Sequence, residues 1–344
     1  MSNVVLVTGA SRYMGAAIAG RLASDERVGH VIGVDTTMPS DETTALLGRA
    51  EFIHADIRHP LIGRILAQTE PDTVVHMAVV ASPARAGGRA AMKEVNVIGT
   101  MQLLAACQKT PSVSKLVVKS SVAAYGASSR DPALFTEETE PRAMPRGGYA
   151  KDIVEIEGYV RGFARRRPDV TVTVLRFAPF VGARANTTLT RYFSLPVVPT
   201  VFGRDPRVQF VHVDDALEVL HRSVLEHHPG VFNVAGPGVL SLSQAIRRAG
   251  RVPLPVPDVG LSVVAALARH SGLIDFSLDQ IDFLVHGRVV DTTRLKEEFG
   301  YLPRRTVDAF DDFIRGHDLA SVLSPENVKA VERTILEWIR HARR

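Results

Sequence analysis

Two glycines near the start of the chain are spaced for binding a phosphate group. Gly9 and Gly15 frame a short segment that follows the apolar run 4–7 and precedes the helix-like stretch 16–23. Glycine lets the backbone approach a diphosphate closely, and a helix N-terminus presents free N–H groups and the positive end of its dipole. The pattern predicts a strand, a phosphate-binding turn and a helix.

An acidic residue follows at the distance that a dinucleotide site requires. Asp35 ends the next apolar run, twenty residues after Gly15, where a carboxylate accepts both hydroxyls of an adenosine ribose. Each feature alone also fits a structural strand–helix turn, but together they predict a dinucleotide site. We expect the turn to line that site through Gly9, Ser11, Arg12, Tyr13, Met14 and Gly15.

Arg12 and Asp35 favour different dinucleotides. A cation in the middle of the turn, such as Arg12, can bind the additional phosphate of NADP. Asp35 opposes that phosphate because the two negative charges repel each other. We therefore predict NAD as the cofactor, with Arg12 pairing a diphosphate oxygen or lying over the adenine.

A series of short motifs continues from this turn along most of the chain. The motifs are Thr8-Gly9-Ala10, Asp56-Ile57, His76-Met77-Ala78, Asn96-Val97-Ile98-Gly99-Thr100, Ser120-Ser121-Val122-Ala123-Ala124-Tyr125-Gly126, Leu175-Arg176, Phe210-Val211-His212-Val213-Asp214-Asp215, Asn233-Val234-Ala235-Gly236 and Gly300-Tyr301-Leu302-Pro303. From Thr8 to about Phe310 the sequence resembles the extended short-chain dehydrogenases/reductases, also called the NAD-dependent epimerase/dehydratase family. Within that family it looks most like actinobacterial proteins labelled UDP-glucose or UDP-galactose epimerase-like.

The resemblance implies roles for residues outside the glycine turn. It implies that Ser121 and a tyrosine flank the nicotinamide and the substrate. The implied cofactor contacts are Asp56 and Ile57 at the adenine, Ala78 beside the phosphates, and also Met77, Asn96 and Ser120.

The catalytic pair that the resemblance implies is incomplete. The family's tyrosine exchanges the hydroxyl proton of the substrate, and a lysine four residues later binds the nicotinamide ribose and lowers the tyrosine pKa. Tyr149 fills the first position, but Ile153 occupies the second. The other register, with Lys151 as the lysine, places Gly147 where the tyrosine belongs. We prefer the Tyr149 register because Glu157 then falls where the family's helix carries glutamate.

The missing lysine leaves more than one function open. A tyrosine with an ordinary pKa of about 10 is ionised in only about 1 molecule in 1,000 at pH 7. If the protein is an enzyme, we expect hydride transfer at a secondary alcohol, either as a net oxidoreductase reaction or transiently as in epimerisation, with Ser121 and Tyr149 aligning the hydroxyl. The alternative is a catalytically weakened NAD-binding sensor or scaffold.

Several positions on the substrate side weaken the expectation of a sugar nucleotide. Pro179 stands where family epimerases often have asparagine, and Val208 stands where a phosphate-binding arginine is common, with Arg207 one residue away. Val122 and Ala123 replace the acid pair of the sugar dehydratases, so the dehydratase mechanism lacks its acid and base. The apolar stretches 261–267 and 273–284 suit a lipid-like or steroid-like alcohol as well as core packing.

The elements that must position these residues alternate along the chain. Apolar strand-like runs at 4–7, 31–34, 52–53, 74–76, 116–119 and 170–175 alternate with helix-like stretches. This alternation predicts an α/β fold with a Rossmann-type doubly wound parallel sheet and a smaller C-terminal substrate lobe. We expect an NAD-binding domain at 1–178, to which about 208–236 return, an interleaved lobe at 179–320, and a C-terminal amphipathic helix at 321–344.

Composition narrows the class of protein. Hydrophobic residues make up 45% of the 344 residues and charged residues 23%, which excludes a disordered or collagen-like chain. The single cysteine, Cys107, and the absence of an evident signal sequence or membrane-spanning run predict a cytoplasmic protein. A net charge of +4 is too small to indicate nucleic-acid binding. The basic runs 165–167 and 340–344 leave binding to an anionic surface as an alternative. The histidines lack the spacing of a metal site, so we expect no bound metal. We expect a small-molecule substrate, and a homodimer is a further possibility.

Overall fold

The computed structural model describes residues 3–140, 145, 148–256 and 278–319. Its strands are β1 Val4–Thr8, β2 His30–Asp35, β3 Glu51–His54, β4 Thr73–His76, β5 Lys115–Ser121, β6 Thr171–Phe177, β7 Phe180–Val181, β8 Val197–Val201, β9 Arg207–Val208, β10 Val211–His212, β11 Gly230–Val234, β12 Leu240–Ser241 and β13 Val252–Val256. Seven of these strands form one parallel sheet in the order β11-β6-β5-β4-β1-β2-β3. This Rossmann-type sheet confirms the predicted fold class.

Helices cover both faces of the sheet. They are α1 Tyr13–Ala23, α2 Asp41–Leu47, α3 Leu61–Thr69, α4 Pro83–Ala86, α5 Arg89–Lys93, α6 Gly99–Gln108, α7 Gly148–Arg166, α8 Thr188–Ser194, α9 Val213–Leu225, α10 Leu242–Arg248, α11 Leu278–His286, α12 Thr293–Glu297 and α13 Thr306–Gly316. A π-helical turn, Glu94–Ile98, leads into α6, and a 3-10 turn, Val122–Tyr125, follows β5.

The two faces of the sheet contribute to two separate apolar cores. Val5 and Val7 of β1 pack in one core with residues of α1 and α9, whereas Leu6 packs in the other with residues of α3, α6 and α7. Successive side chains of a strand point to opposite faces, so a strand that is apolar throughout fits a sheet covered on both sides. The carboxyl ends of the parallel strands meet at one edge, where ligands of such sheets bind.

The chain after β6 builds a second, smaller group of elements. Its short strands pair as β10 with β7, β12 with β9, and β13 with β8, and β11 lies in the main sheet beside β6. An aromatic core fills this part of the molecule: Tyr192, Phe193, Phe210, Phe310 and Phe313. The domain boundaries stay a prediction, and the expected C-terminal helix and the apolar stretch 261–267 lie outside the described residues. None of the helices in the described ranges combines the length and apolar character needed to cross a membrane.

Candidate cofactor and substrate site

The turn between β1 and α1 requires glycine at both predicted positions. Gly9 has a φ of 76°, a conformation that side chains rarely adopt, and a Cβ added there would lie 2.9 Å from the backbone N of Ala78 and the carbonyl carbon of Met77. A Cβ on Gly15 would lie 2.0 Å from the carbonyl oxygen of Gly9. The turn therefore lies directly against the segment that follows β4.

The N-terminus of α1 has the features of an anion-binding site. Arg12 occupies the N-cap position and makes no side-chain hydrogen bond to the first turn of the helix. A helix N-terminus leaves backbone N–H groups without intrahelical partners, and a bound diphosphate can accept from them. The close approach at Gly9 and Gly15 and this uncapped terminus fit a dinucleotide diphosphate.

Asp35 is held in place by the same turn. Its Oδ2 accepts hydrogen bonds from Ser11 N at 3.1 Å and Ser11 Oγ at 2.5 Å, and its Oδ1 accepts from Thr36 N at 2.7 Å. The side chain is buried at the end of β2. These hydrogen bonds orient the carboxylate before a ligand binds. The two ribose hydroxyls of a dinucleotide would compete with the Ser11 hydroxyl for it.

Asp56 and Ile57 follow β3 at the same edge of the sheet. Arg58 donates to Asp56 from Nε at 2.9 Å and from Nη2 at 2.7 Å. Burial raises the pKa of Asp56, but the hydrogen bonds and charge of Arg58 outweigh burial and hold that pKa below its usual value. Ile57 is buried and packs against Gly99. A Cβ added to Gly99 would lie 2.8 Å from Ile57 Cδ1. Asp56 thus carries its charge into the expected adenine region.

A buried hydrogen-bond chain shapes the end of β4. Thr8 Oγ1 lies 2.9 Å from His76 Nδ1, and His76 Nε2 lies 2.8 Å from Thr100 Oγ1. Thr8 Oγ1 also accepts from the N–H groups of the two residues after His76. Burial, reinforced by the charge of Lys119, lowers the pKa of His76 to about 4, so the imidazole is neutral at pH 7.

Asn96 uses its amide to connect β4 to α7. Its Oδ1 accepts from Val80 N at 2.8 Å, and its Nδ2 donates to Val80 O at 2.9 Å and to Asp152 Oδ2 at 3.0 Å. Arg89 donates to both carboxylate oxygens of Asp152 and to the carbonyl oxygen of Gly148. These bonds fix the first turn of α7.

The expected catalytic residues lie on β5 and α7. Ser121 ends β5, and its Oγ accepts from Ala123 N at 3.1 Å. Tyr149 is the second residue of α7 and is 9% exposed, and Ile153 is fully buried in the same apolar cluster. Because α7 is continuous from Gly148, Ile153 lies one turn after Tyr149 on the same side of the helix.

Ser120 belongs to a buried polar network that the sequence analysis missed. Its Oγ donates to Glu157 Oε1 at 2.6 Å. Arg176 donates to the same carboxylate from Nε at 2.9 Å and from Nη2 at 2.6 Å, and to Tyr125 Oη at 2.9 Å. Tyr125 in turn donates to Asn233 Oδ1 at 2.7 Å. Two features of the sequence could have revealed the pair of Glu157 and Arg176. They are the glutamate four residues after Ile153 and the Leu175-Arg176 motif.

The structure contains an open cleft of about 490 Å³ that three segments of the chain line. Its walls come from residues 128–135, 203–207 and 285–289 and include three arginines: Arg204, Arg207 and Arg288. Arg288 donates from Nε to the carbonyl oxygen of Gly126 at 2.7 Å, which joins the cleft to the end of the 3-10 turn. Val208, in contrast, is fully buried.

The carboxylates of the cleft are already engaged. Asp131 accepts from Ser128 N at 2.6 Å, and Asp205 accepts from the N–H and the hydroxyl of Ser243, both at 2.8 Å. The hydrogen bonds from Ser243 hold the pKa of Asp205 below its usual value despite partial burial, which acts in the opposite direction. The two acidic side chains of the cleft thus have local partners, and Arg207 and Arg288 each donate a hydrogen bond to a backbone carbonyl oxygen.

Other reactive side chains have structural surroundings. Cys107 is buried on α6, and burial raises the pKa of its thiol to about 12, which agrees with a core residue. In the described part of the chain, no three His, Cys, Asp or Glu side chains come together as a metal site.

Comparison with known proteins settles the family. Residues 5–235 match the model of the NAD dependent epimerase/dehydratase family. The chain belongs to this family. The resemblance seen in the sequence is thereby confirmed, and NAD is the cofactor on which the family depends, as predicted.

Relatives of this epimerase/dehydratase family member span nearly its whole length. An uncharacterized protein of Mycobacterium tuberculosis is 48% identical over 331 residues, covering 96% of this chain and 88% of the relative. UDP-glucose 4-epimerase of Mycolicibacterium smegmatis is 28% identical over 320 residues, covering 87% of this chain and 93% of the relative. The structure of Thermotoga maritima UDP-glucose 4-epimerase with UDP-glucose superposes with a TM-score of 0.71 at 22% identity, covering 92% of this chain and 98% of that chain.

In this epimerase/dehydratase family member the predicted site residues fall into two groups. The glycine turn, Asp35 and the segment at Ala78 meet at the carboxyl edge of the sheet. Asn96 and Ser120 instead direct their side chains to Asp152 and Glu157, behind that edge. Their direct contact with the cofactor, like the other individual site assignments, stays a prediction.

Proposed function

We propose that the protein is an NAD-dependent epimerase that acts on a nucleoside diphosphate sugar. The observation that carries this proposal is the bond between Arg288 and Gly126, which places the arginine-lined cleft next to the segment bearing Ser121. In this proposal the sugar lies near Ser121 and the charged diphosphate lies in the cleft. The names of the M. smegmatis and T. maritima proteins support the same substrate class.

The cofactor-binding roles follow from the geometry of the turn. Gly9 and Gly15 allow the diphosphate to approach the start of α1, and Asp35 accepts the adenosine ribose hydroxyls. The carboxylate repels the additional phosphate of NADP, which favours NAD. When bound, NAD supplies the acceptor and donor of the hydride at the sugar carbon.

The chain's own residues then act on the sugar hydroxyl. Ser121, at the end of β5, orients the hydroxyl through its Oγ, and Tyr149 receives or returns the hydroxyl proton. Tyr149 would accept the hydroxyl proton as a phenolate and return it as a phenol. Ile153 carries no charge that favours the phenolate, so that form would depend on the positive charge that bound NAD would supply.

The cleft selects the diphosphate part of the substrate. Guanidinium groups match phosphate oxygens with paired hydrogen bonds, and they stay charged at every physiological pH. The sequence analysis found Arg207 but missed Arg204, three residues before it, and Arg288, which lines the cleft from a distant part of the chain. Val208 stands where the family commonly has a phosphate-binding arginine. The three arginines of the cleft supply guanidinium groups in its place.

The test is direct detection of product. Purified protein is incubated with NAD and UDP-glucose or UDP-galactose, and the anomeric proton signals are followed by NMR. We expect interconversion of the two sugars that is lost in Ser121→Ala and reduced at least tenfold in Tyr149→Phe. Saturable binding of NAD without turnover of any nucleotide sugar would indicate the sensor or scaffold function instead. A cytoplasmic location and a homodimer are part of the proposal, and sedimentation velocity tests the dimer.

A further inference from the structure

Lys119 lies at the centre of the proposed cofactor site, although no motif marks it. It precedes Ser121 by two residues on β5, so both side chains leave the same face of the strand. Lys119 Nζ donates to the carbonyl oxygen of Val79 at 3.2 Å, across the end of the neighbouring strand β4. The ammonium therefore lies at the carboxyl edge of the sheet, between Ser121 and the glycine turn.

The groups that face this ammonium do not neutralise it. The charge of Arg12, in the turn after β1, repels the ammonium, and His76, at the end of β4, is uncharged at pH 7. No carboxylate within the described ranges forms an ion pair with Lys119. Burial, together with repulsion from Arg12, lowers the pKa of Lys119 to about 8.

The half-buried ammonium of Lys119 donates to a carbonyl oxygen and forms no ion pair with a carboxylate of the described residues, so it loses part of its hydration without a compensating charge. Lys119 bonds to the segment after β4 against which the Gly9 turn packs, and this is where the diphosphate of a dinucleotide would lie. A diphosphate would supply the negative charge that Lys119 does not receive from a carboxylate of the described residues. The unpaired charge is therefore explained as a binding group for an anionic cofactor.

We propose that Lys119 binds NAD on the side of its diphosphate, next to the segment after β4 that the glycine turn contacts. The inference rests on the proposed NAD site, but it does not depend on the identity of the sugar substrate. It assigns the cofactor-binding lysine to β5, whereas the family resemblance implies a lysine on α7.

Proton linkage makes the proposal measurable. In the free protein Lys119 loses its proton as the pH rises through about 8. A bound diphosphate favours the charged form, so NAD binding takes up protons in this range. The NAD affinity should fall by up to about tenfold between pH 7 and pH 9, because part of the binding energy is spent on protonation.

The experiment is calorimetric titration of the full chain with NAD at pH 7, 8 and 9, in two buffers that differ in ionisation enthalpy. The two buffers report the number of protons taken up, which requires no substitution. Lys119→Met removes the charge and keeps the length of the side chain, and Lys119→Arg keeps a charge that does not titrate. Lys115→Met is the matched control, because Lys115 lies on the same face of β5 but bonds to the end of α9.

We expect Lys119→Met to bind NAD at least tenfold more weakly at pH 7 and to lose both the pH dependence and the proton uptake. Lys119→Arg should bind NAD with no fall toward pH 9, and Lys115→Met should behave like the wild type. Equal affinity and equal proton uptake in Lys119→Met and wild type would overturn the role of Lys119 while leaving the NAD site intact. A wild-type protein that binds no NAD would overturn the cofactor site and this inference together.

Discussion

Ile153 lies one helical turn after Tyr149 on α7, and both side chains are buried in the same apolar cluster. The relationship explains how the fold persists without the lysine that the family resemblance implies at position 153. An isoleucine here adds to the packing between α7 and the sheet, whereas a lysine would need an anionic partner.

Ile153→Lys should restore a charge beside Tyr149. We expect a lower pH midpoint for tyrosinate formation and tighter NAD binding, because a nearby ammonium favours the phenolate. The variant should also lose stability without cofactor, since the amine enters a fully buried position. Ultraviolet absorbance against pH measures the midpoint, and adding Tyr149→Phe identifies the signal.

Ile153→Met is the control for a change of shape without charge. It should leave the tyrosinate midpoint where it is in the wild type. If Ile153→Lys folds and changes neither the midpoint nor the NAD affinity, position 153 does not face the nicotinamide and Tyr149 loses its assigned role.

Asp35→Asn should weaken NAD binding and reduce the discrimination against NADP. The substitution removes the charge that repels a ribose phosphate and one of the acceptors for the ribose hydroxyls. We expect a loss of about tenfold in NAD affinity, corresponding to about 1.4 kcal/mol. Ser11→Ala, which removes one hydrogen bond to the carboxylate but keeps its charge, should retain the preference for NAD. An unchanged ratio of NAD to NADP affinity in Asp35→Asn contradicts the prediction.

His76 should make the fold less stable in mild acid. Its pKa is lowered from 6.5 to about 4 in the folded protein, so the unfolded chain binds a proton first as the pH falls. The stabilising effect of the neutral imidazole is therefore complete above pH 6.5 and is lost between pH 6.5 and 4, by about 3 kcal/mol. Urea unfolding at several pH values measures the slope, and His76→Gln should flatten it. A slope that is identical in both proteins would show that another group dominates this range.

Glu157→Gln should destabilise the fold strongly because it leaves Arg176 as an unpaired buried charge. The expected loss is about 3 kcal/mol in the free energy of unfolding. Glu218→Gln removes an acid that pairs with Arg21 and Arg222 on the surface, and it should cost less than about 1 kcal/mol. Equal losses in chemical denaturation would refute the difference in burial as the cause.

The sheet and the glycine turn could be predicted because their signals are local. Apolar runs placed β1, β2, β4, β5 and β6 within one or two residues of their observed ends, and the positions of Gly9, Gly15 and Asp35 follow from chain spacing alone. Each of these features depends on residues close together in sequence, so periodicity and motif spacing reveal them.

The rest of the site depends on contacts between distant segments. Arg288 reaches Gly126 across 162 residues, and Arg176 meets Glu157 only because α7 packs beside β5 and β6. In the sequence Lys119 is one polar residue of an apolar strand, and its position beside the segment after β4 emerges only when β5, β4 and β1 are aligned. Side-chain direction at Asn96 and Ser120 likewise follows from tertiary packing.

The most direct measurement is a calorimetric titration of the wild-type protein with NAD and, separately, with NADP. The geometry at Gly9, Gly15 and Asp35 predicts one saturable NAD site per chain, with a dissociation constant of roughly micromolar order. NADP should bind at least tenfold more weakly, because its additional phosphate meets the Asp35 carboxylate. The absence of saturable binding by either dinucleotide would contradict the assignment of the turn as a cofactor site.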